Sequence, residues 1–348
     1  YRILGIFYKR KIMKILVVMG GISSEKEISL KSGENIYHKL KQIYPNTEKY
    51  ILTELKEFYK HILENQYDFV FLVLHGKYGE DGVIQAFLES LKIPFSFSNS
   101  TPSLIGINKM ITNTLIEKLI ESEKVFNLFL PKTVYIRKKE YEKYGLKKVF
   151  SQIKEKFLNP PLIVKPNLSG SSVGLSLIEN SKNIEKKLEQ AINLAFQEDD
   201  NLIIIQEYIE GREITIGVIQ NKQEIIPLEP CELALQDSKL FDFENKYIKK
   251  IDHIIPPELP SETLDYLKYI SAKIFEFLDF KDVVRIDYRL KEENGYFKVY
   301  FLEVNTIPGF TEVSLLPQEA EKTGIKFDKL LKIIVENNIY EKNFGSIN

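Results

Sequence analysis

One cysteine, Cys231, stands in 348 residues, so neither an internal disulfide framework nor a CxxC metal site is available. The four histidines, at 38, 61, 75 and 253, show no HExxH-like spacing, which argues against a histidine-built zinc site. Metal sites built from carboxylates stay open. Basic excess is missing too. The 48 Lys+Arg and 49 Asp+Glu leave a formal net charge of −1, whereas a general nucleic-acid or membrane-surface binder normally shows positive charge. No apolar run approaches the roughly 18 residues of a membrane span. Runs such as those at 69–74 and 202–205 are strand-sized. The N-terminal stretch carries Lys-Arg-Lys at 9–11 between two short apolar pieces, but Ser24-Glu25-Lys26-Glu27 turns charged at once and offers no cleavage site. The expectation is a cytoplasmic protein, with residues 1–12 an appendage before a start at Met13. No GxxxxGK[ST] occurs, and GGISSE is not a GxGxxG fingerprint. Internal repeats and low-complexity tracts are absent as well.

What is present is a chain long enough for two or three packed domains, 44% hydrophobic and 28% charged. Residues 15–19 form a β-rich run that ends in Gly20-Gly21. Ser23 and Ser24 then offer N-caps to a helix carrying Ile28, Leu30, Ile36 and Leu40. Residues 68–75 read as a second apolar strand, which runs into HGKYGEDG and a helix through Val83, Ile84, Phe87, Leu88 and Leu91. Strands, glycine-bearing loops and helices in alternation predict an open parallel α/β sheet, whose ligands sit at the carboxyl ends of the strands. The Ser/Pro/Asn-rich break at 94–102 is a domain boundary candidate. Helices are expected at 108–121, 140–157, 181–198, 262–279 and 314–338. Strands are expected at 133–136, 202–205, 212–218, 282–290 and 296–304. Residues 236–260 have no clear period and read as a long loop, of the kind usually kept for function.

Two segments carry chemistry. In VKPNLSGSSVG, Lys165 at a strand end precedes small residues whose backbone N–H groups could approach a phosphate. Taken alone, this segment reads more readily as a surface hairpin. The segment VVRIDYRL…VYFLEVNTIPGFTEVSL is more informative. Asp287 and Glu303 fall on adjacent expected strands, and Asn305 lies two residues after Glu303, hence on the same face. Two carboxylates and an amide oxygen are hard-cation donors, suited to Mg²⁺ bridging nucleotide phosphates. Solvated charges on an exposed strand are the plainer alternative, but these residues interrupt runs that otherwise read as buried. Only six of the basic residues are Arg. Arg285 and Arg289 lie beside the carboxylates and Arg212 lies in EGRE, which points to a need for the planar guanidinium fork.

GGISSEKEISLKSG, LHGKYGEDGVIQAFLE, VKPNLSGSSVG, IEGRE, ENKY, RIDYR and EVNTIPGFTEVSLLP follow one another in this order. In this the chain, over about residues 13–338, resembles the D-alanine–D-alanine ligases, ATP-grasp enzymes of bacterial cell-wall synthesis. The resemblance implies an N-terminal substrate-binding, Rossmann-like open parallel α/β domain over 13–98. A central ATP-grasp subdomain would span 99–206, and a C-terminal one, with a catalytic loop at 236–260, would span 207–348. Together the two α+β subdomains would clasp ATP. Two D-alanine molecules would be joined through D-alanyl phosphate, with two Mg²⁺ ions that Mn²⁺ could replace.

Residue by residue, the resemblance assigns Glu25 to the ammonium of the first D-alanine, in a triad with Ser171 and Tyr247, and His75 to its carboxylate. It places Lys109, Lys165 and Lys246 on the phosphates. Gln206, Glu207 and Ile209 fall in the adenine hinge, and Glu213 falls at the ribose. Arg285 and the Gly309 N–H would hold the oxyanion. Ser314 and Leu315 would hold the second carboxylate, and Asp287, Glu303 and Asn305 the metal. Asn108, Ser169 and Gln206 depart from the common Asp, Glu and Glu. Two other readings remain: a different ATP-grasp carboxylate–amine ligase, or an inactive nucleotide-binding relative. The expected partner is the small molecule D-alanine, with no nucleic acid and no membrane. The oligomeric state is open, a homodimer being one assembly compatible with the resemblance.

Overall fold

The computed structural model describes residues 13–344 apart from 24, 157, 171, 172, 200, 235–251 and 312. The appendage expected at 1–12 lies outside the described residues.

Strands β1 (Ile15–Gly20), β2 (Thr47–Leu52) and β3 (Phe69–Leu72) form a parallel sheet in the order β2-β1-β3. Every residue of β1 and β3 is buried, as expected for strands covered on both faces. The edge strand β2, TEKYIL, buries only its ends, and its polar middle hid it from the sequence reading. Helices α1 (Lys26–Ile43), α2 (Leu55–Glu64) and α3 (Val83–Ser90) complete this region. Glu25 holds the N-cap position of α1 and gives no side-chain cap, and Ser24 lies outside the described residues. Ser23 Oγ accepts from Glu25 N at 3.3 Å, at the entry to the helix, and donates to the His75 carbonyl at 2.7 Å, so it also fastens the loops after β1 and β3 together. Helix α1 comes close to β1 through Gly33, where a Cβ would stand 2.4 Å from Met19 Cβ.

Helices α4 (Ser100–Ile107) and α5 (Lys109–Ser122) follow, then the short β4 (Leu128–Phe129). A second sheet holds β5 (Thr133–Arg137), β6 (Leu162–Pro166), β7 (Ser176–Ile178) and β8 (Leu202–Glu207) in the antiparallel order β5-β8-β6-β7. Helices α6 (Lys138–Glu155) and α7 (Ile184–Glu198) share its core.

The third sheet has seven strands. These are β4, β9 (Arg212–Asn221), β10 (Glu224–Pro227), β11 (Cys231–Ala234), β12 (Asp252–Ile254), β13 (Val283–Glu293) and β14 (Tyr296–Asn305). Their order is β12-β11-β9-β13-β14-β4, with β10 also on β9. Helix α8 (Ser261–Phe277) and α5 pack on it. The long loop expected at 236–260 thus contains a strand, β12, while 235–251 lies outside the described residues. The single helix expected at 314–338 is two helices, α9 (Leu315–Lys322) and α10 (Phe327–Phe344). Gly324, at φ +87, ends the first of them, a stop signal that glycine supplies at little steric cost.

Helix α10 returns to the first sheet. Leu330, Leu331 and Ile334 share one core with β1 and β3, and Phe310 lies 5.5 Å from Phe97 and 6.4 Å from Phe71, ring centre to ring centre. Asp282, fully buried at this junction, accepts hydrogen bonds from Phe97 N at 2.7 Å and Asn338 Nδ2 at 2.8 Å. One carboxyl therefore ties the exit of the first sheet, the third sheet and α10 together.

Candidate active site

The site rests on three neighbouring rows across the third sheet. Gly217, Arg285 and Asn305 lie opposite one another on β9, β13 and β14. So do Thr215, Asp287 and Glu303, with Cys231 of β11 beyond Thr215. Glu213 faces Arg289 in the third row. Opposed residues on antiparallel strands share a face, so the carboxylates and arginines gather on one side of the sheet. Asp287 and Glu303, expected on adjacent strands, are direct cross-strand partners, and the register shifts just after Asp287, as at bulges that re-aim side chains.

Arg285, 5% exposed, donates to Asp287 twice, Nε to Oδ1 at 3.0 Å and Nη2 to Oδ2 at 2.9 Å. Burial alone would lower the guanidinium, but Asp287 and Glu319 outweigh it and raise it. Thr215 Oγ1 donates to Asp287 Oδ1 at 2.6 Å. Glu303 Oε2 stands 3.3 Å from Lys109 Nζ and 3.8 Å from Lys165 Nζ. Burial pushes Lys165 down to about 8, opposed by Glu303. Lys109 also donates to the Ser169 carbonyl. Asn305 Oδ1 accepts from Ile307 N at 3.1 Å. Among the described residues no group of three His, Cys, Asp or Glu forms a metal cluster. Two carboxylates with one amide oxygen, ringed by cations, match the hard donor set that Mg²⁺ takes when phosphates complete its shell.

A cleft of about 690 Å³ opens between the second and third sheets, lined by Lys165, Gln206, Glu207, Ile209, Glu213, Arg285, Asp287 and Glu303 together with Tyr208 and Arg289. Glu207 accepts from Lys132 N at 2.9 Å, and Gln206 Nε2 donates to Thr133 Oγ1 at 3.0 Å. The Gln206 side chain thus lies along the sheet face against its cross-strand neighbour. Glu213, assigned to a ribose by resemblance, is held 2.6 Å from Arg289 Nη2.

A second cavity of about 1350 Å³ is lined by Glu25, His75, Arg285, Asn305, Gly309, Ser314 and Leu315. Arg285 belongs to both walls. Glu25 and His75 are buried at 6% and 5% exposure, and Gly76 lets the loop pass so close that a Cβ would lie 3.4 Å from Glu25 Oε2. Ser314 caps its own turn: Oγ accepts from Thr311 N at 3.0 Å and meets Thr311 Oγ1 at 2.7 Å. A Cβ on Gly309 would lie 3.0 Å from Ser314 Oγ. Ser171, Lys246 and Tyr247 lie outside the described residues.

The departure at Asn108 is accommodated. Its Oδ1 accepts from Ile111 N at 3.2 Å and from Asn167 Nδ2 at 3.1 Å, which caps α5 at Lys109. Sequence reasoning missed Thr215, although REITIGVI carried the signal. Glu213, Thr215 and Gly217 alternate with the buried Ile214, Ile216 and Val218, so they face the site together. It also missed Lys31 and His253 in the larger cavity, which nothing in their sequence context marks. Arg212 uses its fork away from the site, bound to Glu232 through Nε at 2.8 Å.

A family model described as D-ala D-ala ligase C-terminus matches residues 123–336, and one described as D-ala D-ala ligase N-terminus matches 46–98. The D-alanine–D-alanine ligase of Aquifex aeolicus is 36% identical over 325 residues, covering 93% of this chain and 100% of that one. That of Fervidobacterium nodosum is 36% identical, with 93% and 98% covered. Among solved structures, the ATP complex of the Bacillus anthracis D-alanine–D-alanine ligase aligns with a TM-score of 0.74 at 29% identity, over 95% of this chain and 99% of that one. The VanG D-Ala:D-Ser ligase of Enterococcus faecalis aligns at 0.73 and 25% identity, over 94% and 100%.

Proposed function

The chain belongs to the D-alanine–D-alanine ligase family, and from that premise we propose how its own residues carry the reaction. The protein is an ATP-dependent ligase of the ATP-grasp fold that joins two D-alanine molecules for peptidoglycan precursors. The observation that carries the reading of the site is Arg285 standing in the wall common to the cleft between the second and third sheets and the cavity that holds Glu25 and His75.

A carboxylate is a poor acyl donor, so in this reading the first D-alanine is phosphorylated to D-alanyl phosphate and the second attacks it with loss of phosphate. Glu25 and His75 hold the first amino acid. Lys109 and Lys165, with Lys246 of the 236–260 loop, offset the phosphate charge. Gln206, Glu207, Ile209 and Glu213 line the nucleoside end. Arg285 and the Gly309 N–H face the oxyanion of the tetrahedral intermediate, while Ser314 and Leu315 receive the second carboxylate. Asp287, Glu303 and Asn305 would hold Mg²⁺, which when bound screens the transferring phosphoryl group. Ser171 and Tyr247 complete the Glu25 triad. The parts at 13–98, 99–206 and 207–348 contribute in turn Glu25 and His75, Lys109 and Lys165, and the sheet that carries Arg285, Asp287 and Glu303. Among the described residues no helix is long and apolar enough to cross a membrane, and a cytoplasmic setting, where ATP is available, fits the reaction.

Phosphate release from ATP tests the reading, with D-alanine compared against L-alanine, D-lactate and no acceptor. Release that depends on D-alanine and yields the dipeptide is expected. Release independent of D-alanine would overturn it.

A further inference from the structure

Glu319, on α9, is a buried carboxyl that the reaction above leaves unused. It is 0% exposed, and its Oε2 accepts from Gly217 N at 2.6 Å. Its other oxygen, Oε1, is buried with no hydrogen-bond partner. A buried, half-satisfied carboxyl costs stability, so its surroundings matter. Gly217 lies directly opposite Arg285 on the neighbouring strand. A Cβ at 217 would point to the face that carries the Arg285 side chain. There it would meet Leu316 Cδ1 at 2.4 Å and Glu319 Oε2 at 2.8 Å. The space of the absent side chain is filled by three side chains, Leu316 and Glu319 delivered from α9 and Leu228, whose Cδ1 would stand 2.7 Å from that Cβ.

Opposed Cβ atoms on antiparallel strands lie about 4.5–5.5 Å apart, and opposite charges so placed attract. The Glu319 carboxyl therefore lies beside the position that a side chain opposite Arg285 would take, near enough for each group to act on the other. We propose that Glu319 is a positioning residue for Arg285, a cross-strand carboxyl supplied from the acceptor-site helix through the gap at Gly217.

Two observations support it. Glu319 follows Leu315 by four residues, so it shares a face with the first turn of the helix, and Ser314 is the N-cap of that helix. Pinning Glu319 at Gly217 thereby fixes the Ser314–Leu315 turn relative to Arg285. Small displacements of such groups are costly, about 10²-fold for 1 Å. The electrostatics agree. Burial pushes the Glu319 carboxyl up to about 8, Arg285 and the Gly217 N–H pull it down, and Asp287 adds to the rise. The Cys231 thiol on β11, raised by its burial, is raised further by Glu319.

The inference rests on the proposed role of Arg285, and the test separates the two. Glu319→Gln keeps an oxygen for Gly217 N–H and removes the charge. Turnover is measured per nucleotide-binding site, titrated with ATP, across pH 6.5–9.5, a range chosen about the carboxyl value, for wild type, Glu319→Gln, Arg285→Lys and the double variant. The expected result is a kcat about tenfold lower in Glu319→Gln above about pH 8, where the carboxyl is ionised, with little change at pH 6.5 and with ATP affinity kept. In the Arg285→Lys background, Glu319→Gln adds no further loss. Unchanged per-site turnover at every pH, or full additivity with Arg285→Lys, would overturn the proposal even if the melting temperature falls. If Arg285→Lys alone leaves turnover intact, the assignment of Arg285 fails instead.

Discussion

Arg285 grips Asp287, two residues ahead on the same strand, with both ends of its fork, at 3.0 and 2.9 Å. The planar geometry that reads a carboxylate bidentately also reads a phosphate or a tetrahedral oxyanion. Asp287 Oδ1 also accepts from Thr215 Oγ1 at 2.6 Å, so the carboxylate's position does not depend on the arginine alone. Any ligand that engages the Asp287 oxygens competes with Arg285 for them. The fork is then available to the substrate in a wall that both cavities share.

From this follows the first prediction. Arg285→Lys keeps the charge and loses the fork, and kcat is expected to drop by about 10²–10³-fold, the effect of removing one oxyanion donor. Arg289→Lys is the comparison. Arg289 holds Glu213 at 2.6 Å and the Gly211 carbonyl at 2.9 Å in the nucleotide cleft, so its loss should raise KM for ATP and spare kcat. Steady-state phosphate release distinguishes them. Equal, small effects would take Arg285 off the catalytic list.

Glu303 is approached by two lysines, and Asn305 stands next to it on the same face. If they hold Mg²⁺, Glu303→Gln and Asn305→Ala should each raise the Mg²⁺ concentration for half-maximal turnover, by about tenfold or more, with partial rescue by Mn²⁺. Titrating turnover against each metal at saturating ATP reads this directly. An unaltered metal requirement in both variants contradicts the assignment.

Thr215→Val keeps the shape of the side chain and deletes its hydrogen bond to Asp287. The carboxylate then loses a partner worth about 1.5–3 kcal/mol, and its orientation relaxes. The expected outcome is a higher Mg²⁺ requirement with wild-type KM for D-alanine. A higher KM for D-alanine with normal metal dependence would show that Thr215 serves the amino-acid cavity instead.

Much of this was legible in the chain because local chemistry and tertiary placement agree. The buried strands at 15–20 and 69–72 announced themselves as apolar runs, and Asp287, Glu303 and Asn305 stood out as polar residues inside such runs. What failed had a physical reason. Strand β2 is an edge with an exposed middle, so its period was masked. Ser23 accepts from Glu25 N beside the helix start as its sequence suggested, but its hydroxyl also donates to the His75 carbonyl, a partner 52 residues away that no local pattern shows. Glu319 reads in LLPQEAEK as an ordinary solvent-facing glutamate, because its partner, the bare Gly217, lies on another strand. Asp282 likewise shows nothing of its burial in KDVVRID.

That carboxyl gives the last prediction. Asp282 is fully buried, and burial pushes it from 3.8 up to about 6, opposed by Lys281 and by the hydrogen bonds from Asn338, Phe97 N and Asn337. The folded value lies above the unfolded one, so between about pH 4 and pH 6 the folded chain keeps a proton that the unfolded chain has released. The contribution is therefore complete below about pH 4 and is lost as pH rises through about 6. For a displacement of this size the loss is roughly 3 kcal/mol. Asp282→Asn cannot titrate, and every other group in the protein is common to both chains. The melting temperature of wild type minus that of Asp282→Asn should thus fall as pH goes from 4.5 to 7, the window set by the two values. Any constant offset reports how the amide refits against Asn338 and does not affect the slope. Parallel curves would mean that the carboxylate stays ionised throughout, sustained by its three donors. Asp282 would then be an anionic clamp between the first sheet and α10, not a protonated one.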